Sequence, residues 1–330
     1  AFPFQANAPV HIVSDQVKRQ YANAPQYITF DGGSQKALRF TVSTVSPFRA
    51  PFYLGNSASN ITLRNLLIEG GVNQEASFTN ELPLSKYNAG QRTFEFDDNW
   101  EPGVRSMSTG ILIRNTVPFF DETDNNFFNL DTLRNKNITV ENNEISGFGY
   151  GIVSLGTGVL YLDYDQQGNP VGFTKYYNEN NTYANNIISD VSRAGIFLGY
   201  EKDSKVSGNR IYDVNGMNTG DAAGIILGGD GNERGSGYNN IGIEVTGNEI
   251  SNVKSEGGII YGIKVDQFST SYPDGNRFVY FPDEAEEMTV ANNIVWGLNP
   301  VGDANAHRAG LHFTTSRNYR INDEMTRFLS

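Results

Sequence analysis

Cysteine is absent from all 330 residues, so neither a disulfide framework nor a thiolate metal site is open to this chain. Histidine is nearly absent as well. His11, His307 and His312 are too few and too scattered for a His-rich metal centre. No apolar run reaches the roughly 20 residues of a membrane-spanning helix, and no stretch has the layout of a signal peptide. Bases are outnumbered, 25 Lys and Arg against 37 Asp and Glu, for a net charge of −12. That balance argues against nucleic acid, whose binding rests on basic patches, and against a polybasic contact with a membrane. Also missing is any window with a capped, 3.6-residue apolar period, the signature of an amphipathic helix.

What the chain has in excess is asparagine, which at 38 copies exceeds even glycine at 35. The excess is organised. Val140-Glu-Asn-Asn143-Glu-Ile145 recurs at Tyr183–Ile188, Val206–Ile211, Val245–Ile250 and Val290–Val295, and a sixth copy, Leu63–Ile68, has Leu66 where the others have their second Asn. A second phrase, Gly followed by Ile or Leu, comes after each copy, at Gly110, Gly151, Gly195, Gly224, Gly262 and Gly310. Repeats of this length mark stacked architectures. The two-residue alternation of Val206 and Gly208 around Ser207 reads as strand. Asn209 then reads as the corner, because Asn tolerates the left-handed conformation, and Gly195 reads as a second bend. Stacking places Asn143, Asn186, Asn209, Asn248 and Asn293 above one another as an amide ladder. The shortest unit, Tyr183 to Val206, is 23 residues, which leaves no room for a crossover helix. The expected fold is all-β: a right-handed parallel β-helix of about seven or eight coils, one domain over 1–330 with weakly patterned ends at 1–26 and 318–330.

On these phrases the chain resembles right-handed parallel β-helix proteins, the group that includes polysaccharide lyases, hydrolases and epimerases. More narrowly, it resembles the Asn-rich β-helix segments of large secreted or surface proteins of Bacteroidota. The resemblance spans about residues 27–317 and implies an extracellular or cell-surface location. It also implies that the chain is a section of a longer secreted protein, with other domains of the same chain at its ends.

The insertions locate a candidate face. From the Gly phrase to the next Asn phrase the step is 11 residues at the Gly195 coil and 21 to 32 elsewhere. Long loops therefore leave one corner, at about 114–137, 155–182, 228–241 and 266–288, with a gap at the Gly195 coil. A further insertion lies at 68–109. The loop at 155–182 reads as a hairpin around Asp165–Pro170. Insertions on one side of a solenoid mark its binding side. Loop aromatics that suit contact with a sugar ring or a protein partner are Trp100, Tyr164, Tyr176, Tyr177, Tyr238 and Tyr272.

Catalytic chemistry has weaker support. Asp190, Arg193, Glu201 and Lys202 lie on the gap coil, with Asp190, Arg193 and Lys202 the candidates for a catalytic set, but no spacing among them demands catalysis. The resemblance counts the same way. Pectin hydrolases of this group would show Asn-Thr-Asp, Asp-Asp, Gly-His-Gly and Arg-Ile-Lys motifs. Here only Asp97-Asp98 and the end of Tyr261-Gly-Ile-Lys264 echo them. For Ca²⁺, Asp163, Asp165 and Asp230 sit in loops with a partial oxygen-ligand pattern, lacking the distal bidentate Glu of an EF-type loop. No other cofactor is indicated. The function expected from the sequence is a non-catalytic surface module, a rigid scaffold for contact with a polysaccharide or a surface protein. The alternative is a polysaccharide lyase, hydrolase or epimerase with its cleft at the Gly195 coil.

Overall fold

The computed structural model describes residues 25–42, 50–55, 57–71, 108–114, 134–156, 167, 177–216, 221–228, 240–256, 258–265, 287–301 and 307–313 with their side chains. It describes the backbone alone of the strands at 4–6, 10–12, 85–88, 93–96, 158–164, 170–176, 266–268, 271–274, 277–280, 314–316, 318–321 and 324–327. All the regular elements among these residues are β-strands, and no helix is long and apolar enough to cross a membrane.

Three strands make a coil, and successive coils stack in parallel register to form three walls. Wall one is a seven-stranded sheet of Gln26–Asp31, Ser59–Arg64, Thr139–Glu141, Thr182–Ala184, Lys205–Ser207, Glu244–Thr246 and Thr289–Ala291. Wall two holds Leu38–Thr41, Leu66–Glu69, the first half of Glu144–Leu155 and of Ile187–Gly199, then Arg210–Gly216, Glu249–Ser255 and Ile294–Pro300. Wall three holds Phe52–Leu54, Thr109–Arg114, the second halves of the same two long strands, Ala222–Gly228, Ile260–Phe268 and Arg308–Ser316. Walls two and three form one sheet because Glu144–Leu155 and Ile187–Gly199 run unbroken through the corner between them.

The two-residue alternation sends one set of side chains inward on every coil. Val140, Tyr183, Val206 and Val245 line wall one, Ile145, Ile188, Ile211 and Ile250 wall two, and Ile152, Ile196, Ile225 and Ile263 wall three, all within 2% of full burial. Each such side chain contributes roughly 1.5–3 kcal/mol by leaving water. Wall three is apolar on its outer side as well. Leu112, Val153, Phe197 and Ile226 form an outward column at no more than 1% exposure, within a second apolar cluster that includes Tyr177, Tyr200 and Tyr261.

Two of the corner expectations need correction. The ladder asparagines are not the left-handed residues. That conformation belongs to the residue before each one, Asn142 (φ 55°), Asn185 (54°), Gly208 (64°), Gly247 (65°) and Asn292 (57°). The Asn-Asn and Gly-Asn pairs thus divide the work: the first residue turns the chain and the second points inward. The glycines of the second phrase are not bends either. They lie inside wall-three strands, and a Cβ on Gly151, Gly195 or Gly224 would stand 2.5 Å from the Cγ2 of Ile188, Ile211 or Ile250 on the neighbouring coil. Glycine is needed there for space. Gly310 has nothing within 4 Å of the equivalent position.

The loops leave as the spacing requires. Gly158–Tyr164 and Pro170–Tyr176 form an antiparallel hairpin between wall three and wall one, and Ser271–Asp274 pairs with Arg277–Tyr280 three coils on. At the Gly195 coil the chain passes from Gly199 straight to Glu201–Lys202. The insertion at 68–109 leaves a different corner, between walls two and three, and contains the hairpin of Ser85–Asn88 with Thr93–Phe96.

Candidate functional site

The Asn column is a continuous hydrogen-bonded ladder. Asn186 shows the pattern. Its Nδ2 donates to Asn209 Oδ1 (3.0 Å) and to the Val140 carbonyl (2.9 Å), while its Oδ1 accepts from the backbone N–H and the Nδ2 of Asn143 (3.1 and 3.0 Å). Asn209 and Asn248 repeat the pattern down to Asn293. At the other end Leu66 has no amide, and only its N–H reaches Asn143 Oδ1, at 2.9 Å.

A second inward column runs Ala58, Asn135, Asn178, Glu201, Asn240 at the corner that opens wall one. Glu201 stands where its neighbours have Asn, and it is 0% exposed. Four neighbours supply donors. The Tyr183 hydroxyl and Ser204 Oγ each lie 2.7 Å from a carboxylate oxygen, Asn181 Nδ2 lies at 3.1 and 3.3 Å, and Ser154 Oγ makes a short bond. Each of these is a departure from its own column. Ser154 aligns with Ile113 and Leu198, Tyr183 with Val140 and Val206, and Asn181 and Ser204 fall between Ile138 and Ile243. Burial pushes the Glu201 carboxyl above its ordinary value, against the pull of its hydrogen-bond donors. Tyr183 is pushed well above the usual phenol value, by burial first and then by the Glu201 charge. The cluster is sealed inside the solenoid, where it shapes the interior.

The sequence candidates do not converge. Asp190 is exposed, with φ 51°, at the corner between walls two and three. Arg193, just beyond that corner, donates from Nη1 to the Asp221 carbonyl. Lys202 lies on the separate strand Glu201–Lys202, past the corner where the wall-three strand ends at Gly199. Ala194–Gly199 is fully extended between them, about 20 Å of chain. The structure thus places the three candidates at two separate corners. Tyr177, a candidate contact residue, is 7% exposed and meets Tyr200 edge-on at 6.0 Å. Asp163, Tyr164, Tyr176 and Tyr272 lie on the two hairpins, where only backbone is described. Trp100, Asp165, Asp230 and Tyr238 lie outside the described residues. Among the described residues no group of three or more His, Asp or Glu is placed to hold a metal ion.

Sequence reasoning overlooked the outer face of wall two. There the register aligns Ser189, Tyr212, Ser251 and Trp296 in one outward column, with Ile187, Arg210, Glu249 and Ile294 beside it. Trp296 is 54% exposed. The signal was available, since Trp296 and Tyr212 occupy the same place in the repeat, one residue after the inward Val295 and Ile211.

No family model matches the chain, and no curated protein is similar to it. Two solved structures are similar in part, both of PfbA, a surface adhesin of Streptococcus pneumoniae. The first is 12% identical, with 90% of this chain and 70% of that one covered, at a TM-score of 0.35. The second is 12% identical, covering 96% and 84%, at 0.29. At scores this low neither carries an argument, and the fold assignment rests on the parallel register of the chain's own strands: this is a parallel β-helix.

Proposed function

We propose that this chain is a non-catalytic β-helix module of the cell surface or extracellular space, a rigid scaffold that presents one loop-decorated side to a polysaccharide or a protein partner. The observation that supports it most directly is the outer face of wall three. This face adjoins the loop corner, and across the gap coil an enzyme cleft would need a wet groove with converging acids or bases. Leu112, Val153, Phe197 and Ile226 fill it instead, buried to within 1%. The charged candidates of the gap coil stand at opposite ends of that face.

The test is a panel of polysaccharides and surface proteins, with and without Ca²⁺, scored for retention and for release of reducing or unsaturated ends. Ca²⁺ is included because the loops carrying Asp163, Asp165 and Asp230 offer oxygen ligands. Retention without turnover is the expected result. Turnover that disappears in Asp190→Ala, Arg193→Ala or Lys202→Ala would overturn the reading and restore the cleft.

A further inference from the structure

We propose that the outer face of wall two carries a binding strip for a neutral polysaccharide, with Tyr212 and Trp296 as its two stacking platforms. The strip deepens the scaffold reading by naming the partner class, and it lies on a wall that neither the loops nor the gap coil pointed to.

Four observations carry it. First, Tyr212 and Trp296 stand on one outward column two coils apart. That is roughly 9.5 Å along the helix axis, close to the span of two linked hexoses, so a chain lying along the axis meets one aromatic at every second ring. Aromatic faces stack on the apolar faces of sugar rings, and Trp296 leaves half of its surface open to such a contact. Second, the residue between them is the small Ser251, only 4% exposed although its column points outward. No third bulky side chain therefore stands between the platforms. Third, the corner beside the column supplies polar groups at the same coil repeat. Asp213 and Asn252, which bond to each other, follow Tyr212 and Ser251 in the chain. A carboxylate and an amide in a row suit the hydroxyl edges of sugar rings.

Fourth, the charges select a neutral polymer. The guanidinium of Arg210 lies 5.3 Å from the Tyr212 ring centroid, a cation–π contact that steadies that ring. The same group reaches Glu249 at 3.9 Å, so the neighbouring column presents no net cation to an acidic chain. The net charge of −12 repels polyanions over the whole molecule.

The experiment is affinity electrophoresis of the full chain through gels containing a neutral β-glucan, a neutral galactomannan or polygalacturonate. A neutral polymer is expected to retard the wild type, and Trp296→Ala and Tyr212→Ala are each expected to weaken that retardation about tenfold. Tyr27→Ala, which removes an aromatic 80% exposed on wall one, is expected to change nothing. Thermal melts of all variants confirm the fold, since the substituted rings are not in the core. Unchanged retardation in both strip variants would overturn the proposal, as would equal loss in Tyr27→Ala or preferential retention by polygalacturonate. A wild type that no neutral polymer retards also overturns it. In that case, capture of a surface protein in the panel above still leaves the scaffold reading intact.

Discussion

Asn209, like Asn186 one coil before it, uses the hydrogen-bonding groups of its side chain inside a wall where it is only 1% exposed. Asn209→Ala would strip a partner from the N–H and amide of Asn186, from the Tyr183 carbonyl and from the Asn248 amide. Buried groups left this way cost about 1–3 kcal/mol each before relaxation, so the variant is expected to lose about 3 kcal/mol in urea denaturation; a loss under 1 would mean the ladder relaxes freely. Glu201 makes a prediction of the opposite kind. Burial raises its carboxyl above the ordinary value of 4.5, and its four hydrogen-bond donors offset only part of that rise. A carboxyl raised in this way holds its proton better folded than unfolded. The stability it contributes is complete below the unfolded value and is lost as pH rises through the raised one. The wild type should therefore gain melting temperature relative to Glu201→Gln as pH falls from neutrality toward 4.5. Parallel curves for the two proteins would sink the argument. Asp31 has the other sign. The Asn65 amide, with the Gly33 N–H and Arg64, holds it below the usual carboxylate range, so its contribution fades only in stronger acid.

At the scale of the element, the repeat's two phrases meet different demands, and only one was legible. Strand, corner and inward Ile follow from alternation and from the Asn pair, which a sequence displays directly. The role of the second-phrase glycine does not, because the atoms that exclude a side chain at Gly195 belong to Ile211 and Gly224, on the next coil. Gly195→Ala is expected to cost about 1–3 kcal/mol by overpacking. Gly310→Ala, at the same place in the phrase but with nothing within 4 Å of the added carbon, should stay within about 0.5 kcal/mol. Equal effects in the two variants, measured by thermal denaturation, would show that backbone freedom and not space selects glycine here. The same logic explains the missed polar cluster. Ser154, Asn181, Tyr183, Glu201 and Ser204 look like separate lapses from the repeat until the coils stack and bring them within hydrogen-bond reach of one carboxylate.

Across the whole molecule, each coil touches only its neighbours, so stability should behave as a one-dimensional sum of coils and interfaces. Paired substitutions test this. Asn186→Ala with Asn209→Ala should be non-additive, because the two amides share bonds, while Asn143→Ala with Asn293→Ala, four coil steps apart, should add within about 0.5 kcal/mol in equilibrium unfolding. Strong coupling between the distant pair would mean the solenoid responds as one block. By itself the sequence determined the all-β class, the order of the repeats, the Asn column and the corner from which most loops leave, because each is written in periodicity and spacing along one chain. Only the tertiary structure decided which side chains face each other between coils. It buried the outer face of wall three, parted Asp190 and Arg193 from Lys202, closed Glu201 inside and aligned Tyr212 with Trp296. Most of these relations join residues of different coils, such as Tyr212 and Trp296, and so depend on the length of each coil and not on any local pattern.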